Sequence, residues 1–132
     1  MLHPNHFEVN EAWIVFRVND APIRTDAEGE CNAIALMDAA SCFLLGLELI
    51  PVAALEPTQA QFSRMLQHAQ RQKRQLPKTL FVAREDFADL VTREATARNI
   101  DVVRVPENQL LAFTSEPREA FAKRFEEPLG DA

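Results

Sequence analysis

The hydrophobic pattern of this chain changes period once, at Pro51 and Pro57. Before those prolines the apolar residues stand in short, dense runs: Trp13-Ile-Val-Phe-Arg-Val18, Asn32-Ala-Ile-Ala-Leu-Met37 and Cys42-Phe-Leu-Leu-Gly-Leu-Glu-Leu-Ile50. Runs of this length, rich in aromatic and β-branched residues and bounded by turn residues, form strands. Asp38-Ala-Ala-Ser41 joins the second run to the third as a tight hairpin connection. The stretch Arg24–Glu30 is turn-rich. The runs are nearly continuous rather than alternating, which predicts a sheet covered on both faces.

Beyond Pro57 the spacing is helical. Thr58 and Gln61 have the capping-box separation, and Phe62, Met65, Leu66 and Ala69 follow at i, i+3, i+4, i+7. Arg71, Lys73 and Arg74 close this helix where positive charge meets its C-terminal dipole. Leu80-Phe-Val-Ala83 is a short buried strand. Phe87, Leu90, Val91 and Ala95 mark a second helix, closed near Asn99, a residue that tolerates the left-handed cap. Asp101-Val-Val-Arg-Val105 is a further strand stopped by Pro106. A last helix begins near Ser115, carries Ala120, Phe121 and Phe125, and stops at Pro128. The expected product is one α/β domain over residues 1–132, with its core at about 12–126 and both termini frayed. Its mixed five-stranded sheet runs β-β-β-α-β-α-β-α, with the first strand central and helices near 58–74, 86–98 and 116–126.

Composition removes several function classes. Fourteen Lys and Arg against twenty Asp and Glu leave a net charge of −6, which argues against general nucleic-acid binding. Two cysteines are too few for a disulfide framework or a four-ligand zinc site, and three glycines cannot build a phosphate cradle. No apolar run approaches the length of a membrane span. The first residues, MLHPNHFEVNEA, lack a basic segment followed by an apolar one, so a cytoplasmic protein is expected. His3, His6 and His68 have no metal-ligand spacing. Ser41-Cys42 with His68 lacks the third group that would orient a nucleophile and its base. The cluster Arg71, Lys73, Arg74, Lys78 reads as a solvated helix end, and Glu48 as an exposed strand residue.

The element order resembles the ribonuclease H-like fold of ribonucleases H, retroviral integrases and many transposases. Gly29-Glu-Cys-Asn-Ala-Ile-Ala-Leu-Met-Asp-Ala-Ala-Ser-Cys-Phe-Leu-Leu-Gly46 is similar to the stretch from strand 2 to strand 3 of an integrase core. Leu80-Phe-Val-Ala-Arg-Glu-Asp-Phe87 matches its fourth strand and the following helix start. The resemblance implies an active site in which acidic residues hold two divalent metal ions. One of those acids belongs in the middle of the first strand, where this chain reads Trp-Ile-Val-Phe-Arg-Val and carries Arg17 instead. Another belongs at the end of the fourth strand, where Glu85 and Asp86 come one and two positions late, at a helix N-terminus.

Two functions follow as expectations. The leading one is a non-catalytic ribonuclease H-like domain that binds a protein partner or a second copy of itself and needs no cofactor. Its surface candidates are the third strand and the C-terminal region, with Leu110, Leu111, Phe113, Phe121 and Phe125. The alternative is a magnesium- or manganese-dependent nuclease or phosphotransfer enzyme using Asp38, Glu85 and Asp86. Asp38 itself reads first as a turn residue.

Overall fold

The computed structural model describes residues 1–27, 29–84 and 89–126, with the backbone alone for the last two. The elements are β1 (Ala12–Arg17), β2 (Ile23–Thr25), β3 (Gly29–Asp38), β4 (Leu44–Pro51), α1 (Gln59–Lys73), β5 (Thr79–Ala83), α2 (Asp89–Thr96), β6 (Asp101–Val105) and α3 (Leu111–Phe121). A 3₁₀ turn, Glu107–Leu110, leads into α3 and a π turn, Ala122–Glu126, follows it.

The sheet is mixed and centred on β1. β3 pairs with β1 antiparallel, from Trp13↔Asp38 to Arg17↔Ile34. β5 pairs with β1 parallel and β6 pairs with β5 parallel. β4 lies antiparallel on the far side of β3, with a bulge between Leu36 and Met37. Each residue of β1 from Ala12 to Phe16 is at most 1% exposed, because side chains alternate between two covered faces. Trp13 and Val15 join Phe62, Leu66, Val91 and Ala95 beneath α1 and α2. Ile14 and Phe16 join Phe81, Leu110 and Phe113 on the opposite face, which α3 covers. Arg118 of α3 donates from Nε to the Arg17 carbonyl (3.1 Å), ion-pairs with Glu107 (2.8 Å) and lies over the Phe16 ring.

Local chemistry sets most boundaries. Thr58 Oγ1 accepts from the Gln61 N–H (3.1 Å) while Gln61 Oε1 accepts from the Thr58 N–H (3.0 Å), so the capping box is formed in both directions. Arg74 (φ 62°) and Asn99 (φ 62°) take the left-handed conformation past α1 and α2.

Four expectations are corrected. Among the described residues the sheet has six strands, not five: Ile23–Thr25 pairs with Gly29–Cys31, across the stretch Arg24–Glu30 read as turn. Three residues are too few to display a period, although Ile23 packs against the second core. The third strand begins at Leu44, because Cys42 takes φ 58° in the hairpin connection. α2 ends at Thr96, two residues short of expectation, and its expected start at residue 86 lies outside the described residues. α3 starts at Leu111, not near Ser115. Ser115 and Pro117 imitate an N-cap and a first-turn proline. In the fold Ser115 Oγ instead donates back to the Leu111 carbonyl (2.7 Å), inside a running helix.

Candidate functional site

Asp38 ends β3 and is fully buried. Its Oδ1 accepts from the Asn10 N–H (2.7 Å), and its Oδ2 accepts from both the Ser41 N–H (2.9 Å) and the Ser41 hydroxyl (2.7 Å). The hairpin closes through Asp38 N–H to the Phe43 carbonyl and Cys42 N–H to the Asp38 carbonyl. The carboxylate therefore pins the connection and the segment before β1 together. Turn chemistry accounts for the two bonds from Ser41, and the third ties the turn to Asn10. The sequence shows the turn role, but not the reach to Asn10, 28 residues away.

Glu85 and Asp86 lie outside the described residues. What is placed is the strand that leads to them. Asp38 shares its row with Trp13, which pairs with Leu80, near the start of β5. Ala83 ends β5 three residues further on, about 10 Å along a strand. Asp38 thus stands at the end of the sheet opposite to the one where the chain leaves β5. Among the described residues no three His, Cys, Asp or Glu side chains are grouped to hold a metal ion. Where β1 and β6 end, the sheet carries arginines rather than acids. Arg17 shares its face with Ile34, and Arg104 shares its face with Val82, both on the α1 and α2 side.

Cys42 and His68 do not meet. Cys42 lies in a groove with Phe113, Glu116 and Pro117, on the α3 side. His68 lines a second groove with Gly46, Glu48 and Arg71, between β4 and α1. Burial, and then the nearby carboxylates of Asp38 and Glu116, push the Cys42 thiol above its ordinary range, which keeps it protonated and a poor nucleophile. The expectation that Glu48 is exposed is corrected: its side chain is 18% exposed. It takes a two-pronged contact from Arg64, Nε at 3.0 Å and Nη2 at 2.8 Å, which holds the guanidinium charged.

The surface candidates divide. Leu110 and Phe113 are 1% exposed and belong to the core beneath α3. Phe121 is half-buried against the same cluster, Leu111 is exposed, and the Phe125 side chain lies outside the described residues. On the third strand the covered-face expectation fails. Among the described residues β4 has a neighbour on one side only, and Phe43, Leu44, Leu47 and Leu49 are 38–52% exposed. Leu47 and Leu49 pair with Ala35 and Ala33, on the α3 face of the sheet. Among the described residues no helix is long and apolar enough to cross a membrane.

No protein-family model matches the chain, and no curated protein matches it. Among solved structures it is similar to a chain in the cryo-EM structure of the simian T-cell lymphotropic virus intasome in complex with PP2A regulatory subunit B56 gamma. The TM-score is 0.57 at 13% identity, over 87% of this chain and 39% of that one. This likeness is one of fold: a mixed α/β sheet with helices on both faces.

Proposed function

We propose that this chain is a ribonuclease H-like domain that works by binding a protein rather than by cleaving phosphodiester bonds. The strand sequence β4-β3-β1-β5-β6, antiparallel on one side of β1 and parallel on the other, supports the family assignment, as does the likeness to an intasome chain. One observation carries the binding reading. The central strand holds five consecutive buried apolar residues and then Arg17, so the place where such a nuclease keeps its first metal-binding acid is filled with core. A buried Asp38 supports the same reading, since its two oxygens already accept three hydrogen bonds from Asn10 and Ser41.

The test is direct. The full chain is incubated with magnesium or manganese and with single-stranded DNA, duplex DNA, RNA or an RNA–DNA hybrid, and the expected outcome is no cleavage above a protein-free control. Metal-stimulated cleavage that disappears in Asp38→Ala, or in Glu85→Ala with Asp86→Ala, would overturn the binding reading in favour of a metal-dependent nuclease.

A further inference from the structure

The open edge of β4 has a definite polarity. Ala33 donates its N–H to Asn19 Oδ1 (2.8 Å) and accepts from the Val18 N–H (3.0 Å), both on the side of β3 away from β4. Its partner Leu49 therefore forms a non-hydrogen-bonded pair, and so does Leu47 opposite Ala35, two residues along. Leu47 and Leu49 turn their own N–H and C=O groups outward. Gln61 Nε2 covers the Leu49 carbonyl (2.9 Å). The Leu47 N–H and C=O and the Leu49 N–H have no hydrogen-bond partner among the described residues. Apart from Pro51 at its end, this edge carries none of the lysines or prolines that usually blunt an exposed strand.

A row of basic side chains runs beside that edge. α1 lies along β4 in the opposite direction, with Gln61 at Leu49 and Lys73 over the Phe43 ring at 5.2 Å. Between them, Arg64, His68 and Arg71 are exposed at helical spacing and share a groove with Gly46, Leu47 and Glu48. α1 contains no acidic residue although the whole chain is at −6. Glu48 offsets Arg64 alone.

We propose, building on the protein-binding reading, that the β4 edge takes an extended acidic segment of a partner protein as an added strand. The segment's backbone would pair with Leu47 and Leu49. Its alternate side chains would fall on two faces: apolar ones against Leu44, Leu47 and Leu49, acidic ones against His68, Arg71 and Lys73. A second copy of this chain fits less well. Pairing β4 with β4 across a two-fold axis would set two basic rows of like sign on one face. Nucleic acid fits less well too, because the open Leu47 carbonyl repels phosphate while a peptide strand satisfies both carbonyl and amide.

The test uses the full chain and a labelled, capped peptide of sequence EVEVEVE, followed by fluorescence anisotropy at low salt. Binding is expected, with about a tenfold loss or more in Arg71→Glu and weakening as salt rises. Leu47→Pro, which removes one outward donor at an edge position that tolerates proline, is expected to reduce binding comparably while circular dichroism stays native. The peptide KVKVKVK, and EVEVEVE methylated on alternate backbone nitrogens, are expected not to bind. Equal binding of the acidic and basic peptides, no change in Arg71→Glu, or tighter binding of oligo-dT would each overturn the proposal. A dimer seen by light scattering and lost in Leu47→Pro would overturn the choice of occupant. Absence of peptide binding together with absence of metal-dependent cleavage would overturn this edge assignment alone, whereas cleavage would overturn the protein-binding reading itself.

Discussion

Replacing Asp38 with alanine separates a structural carboxylate from a chemical one. The side chain is wholly buried and accepts three hydrogen bonds, two from backbone N–H groups and one from the Ser41 hydroxyl. Removing the acceptor leaves the Asn10 and Ser41 N–H groups without it. A buried donor stripped of its partner costs about 1–3 kcal/mol. Ser41 is exposed, so its hydroxyl and its N–H turn to water at little cost. Asn10 is half-buried and held at φ 66°, so its N–H bears most of the loss. The sum is a destabilisation of about 2 kcal/mol, which moves a urea midpoint by roughly 0.7–2 M at ordinary slopes. Asp38→Asn keeps the bond to Asn10 but sets an NH₂ against the Ser41 N–H, so it should fall between wild type and alanine. Urea unfolding followed by circular dichroism measures all three. An Asp38→Ala protein within about 0.5 kcal/mol of wild type, the range of an ordinary surface change, would refute the reasoning.

Phe113→Ala should destabilise by about 3–5 kcal/mol because it opens a cavity beneath α3, whereas Leu111→Asp, on the exposed side of the same helix, should change stability by less than about 0.5 kcal/mol. Thermal melts of the two variants give the comparison, and similar losses would contradict the placement of α3. The Cys42 thiol, raised by burial and by Asp38 and Glu116, should alkylate more slowly than a free thiol at pH 8. Because its folded pKa lies above its unfolded one, its contribution to stability is full below the unfolded value and is lost as pH rises through the folded value. Wild type should therefore lose stability above about pH 9 more steeply than Cys42→Ala, and parallel alkaline profiles would contradict the shift.

Local signals carried as far as local physics reaches. The Thr58–Gln61 box, the α1 stripe of Phe62, Met65, Leu66 and Ala69, and the left-handed Asn99 depend on neighbours within one helical turn, and all are where the sequence puts them. β1 was legible because a strand with Ala12 to Phe16 all buried has no polar face to offer. The failures are tertiary. A continuous apolar run does not say whether its strand will be central or at the edge, so β4 reads like β1 although its outer face stays open. Glu48 looked like a surface residue because its partner, Arg64, comes from a helix 16 residues later. Ser115 and Pro117 carry the chemistry of a helix start, and only the packing of Leu110 and Phe113 places that start earlier. For the candidate site, the turn role of Asp38 could be read and its tie to Asn10 could not.

The size of the open edge limits what it can do unaided. Three outward backbone groups, at about 1 kcal/mol net each, amount to less than the 4.1 kcal/mol that corresponds to a millimolar complex. Backbone pairing at Leu47 and Leu49 therefore sets the direction and register of a bound strand but does not hold it. The remaining binding energy must come from side chains on the two faces. On one face lie Leu44, Leu47 and Leu49, an apolar strip that any hydrophobic segment could cover. Selectivity must then reside on the other face, in Arg71 and Lys73, which reject basic segments and lose their attraction as salt rises. The bulge at Leu36 and Met37, Gln61 over the Leu49 carbonyl, and Pro51 at the strand end confine pairing to a window too short for sheet-to-sheet aggregation. On the proposed reading, an edge confined at both ends and charged along one side selects a short acidic strand over a second copy of itself.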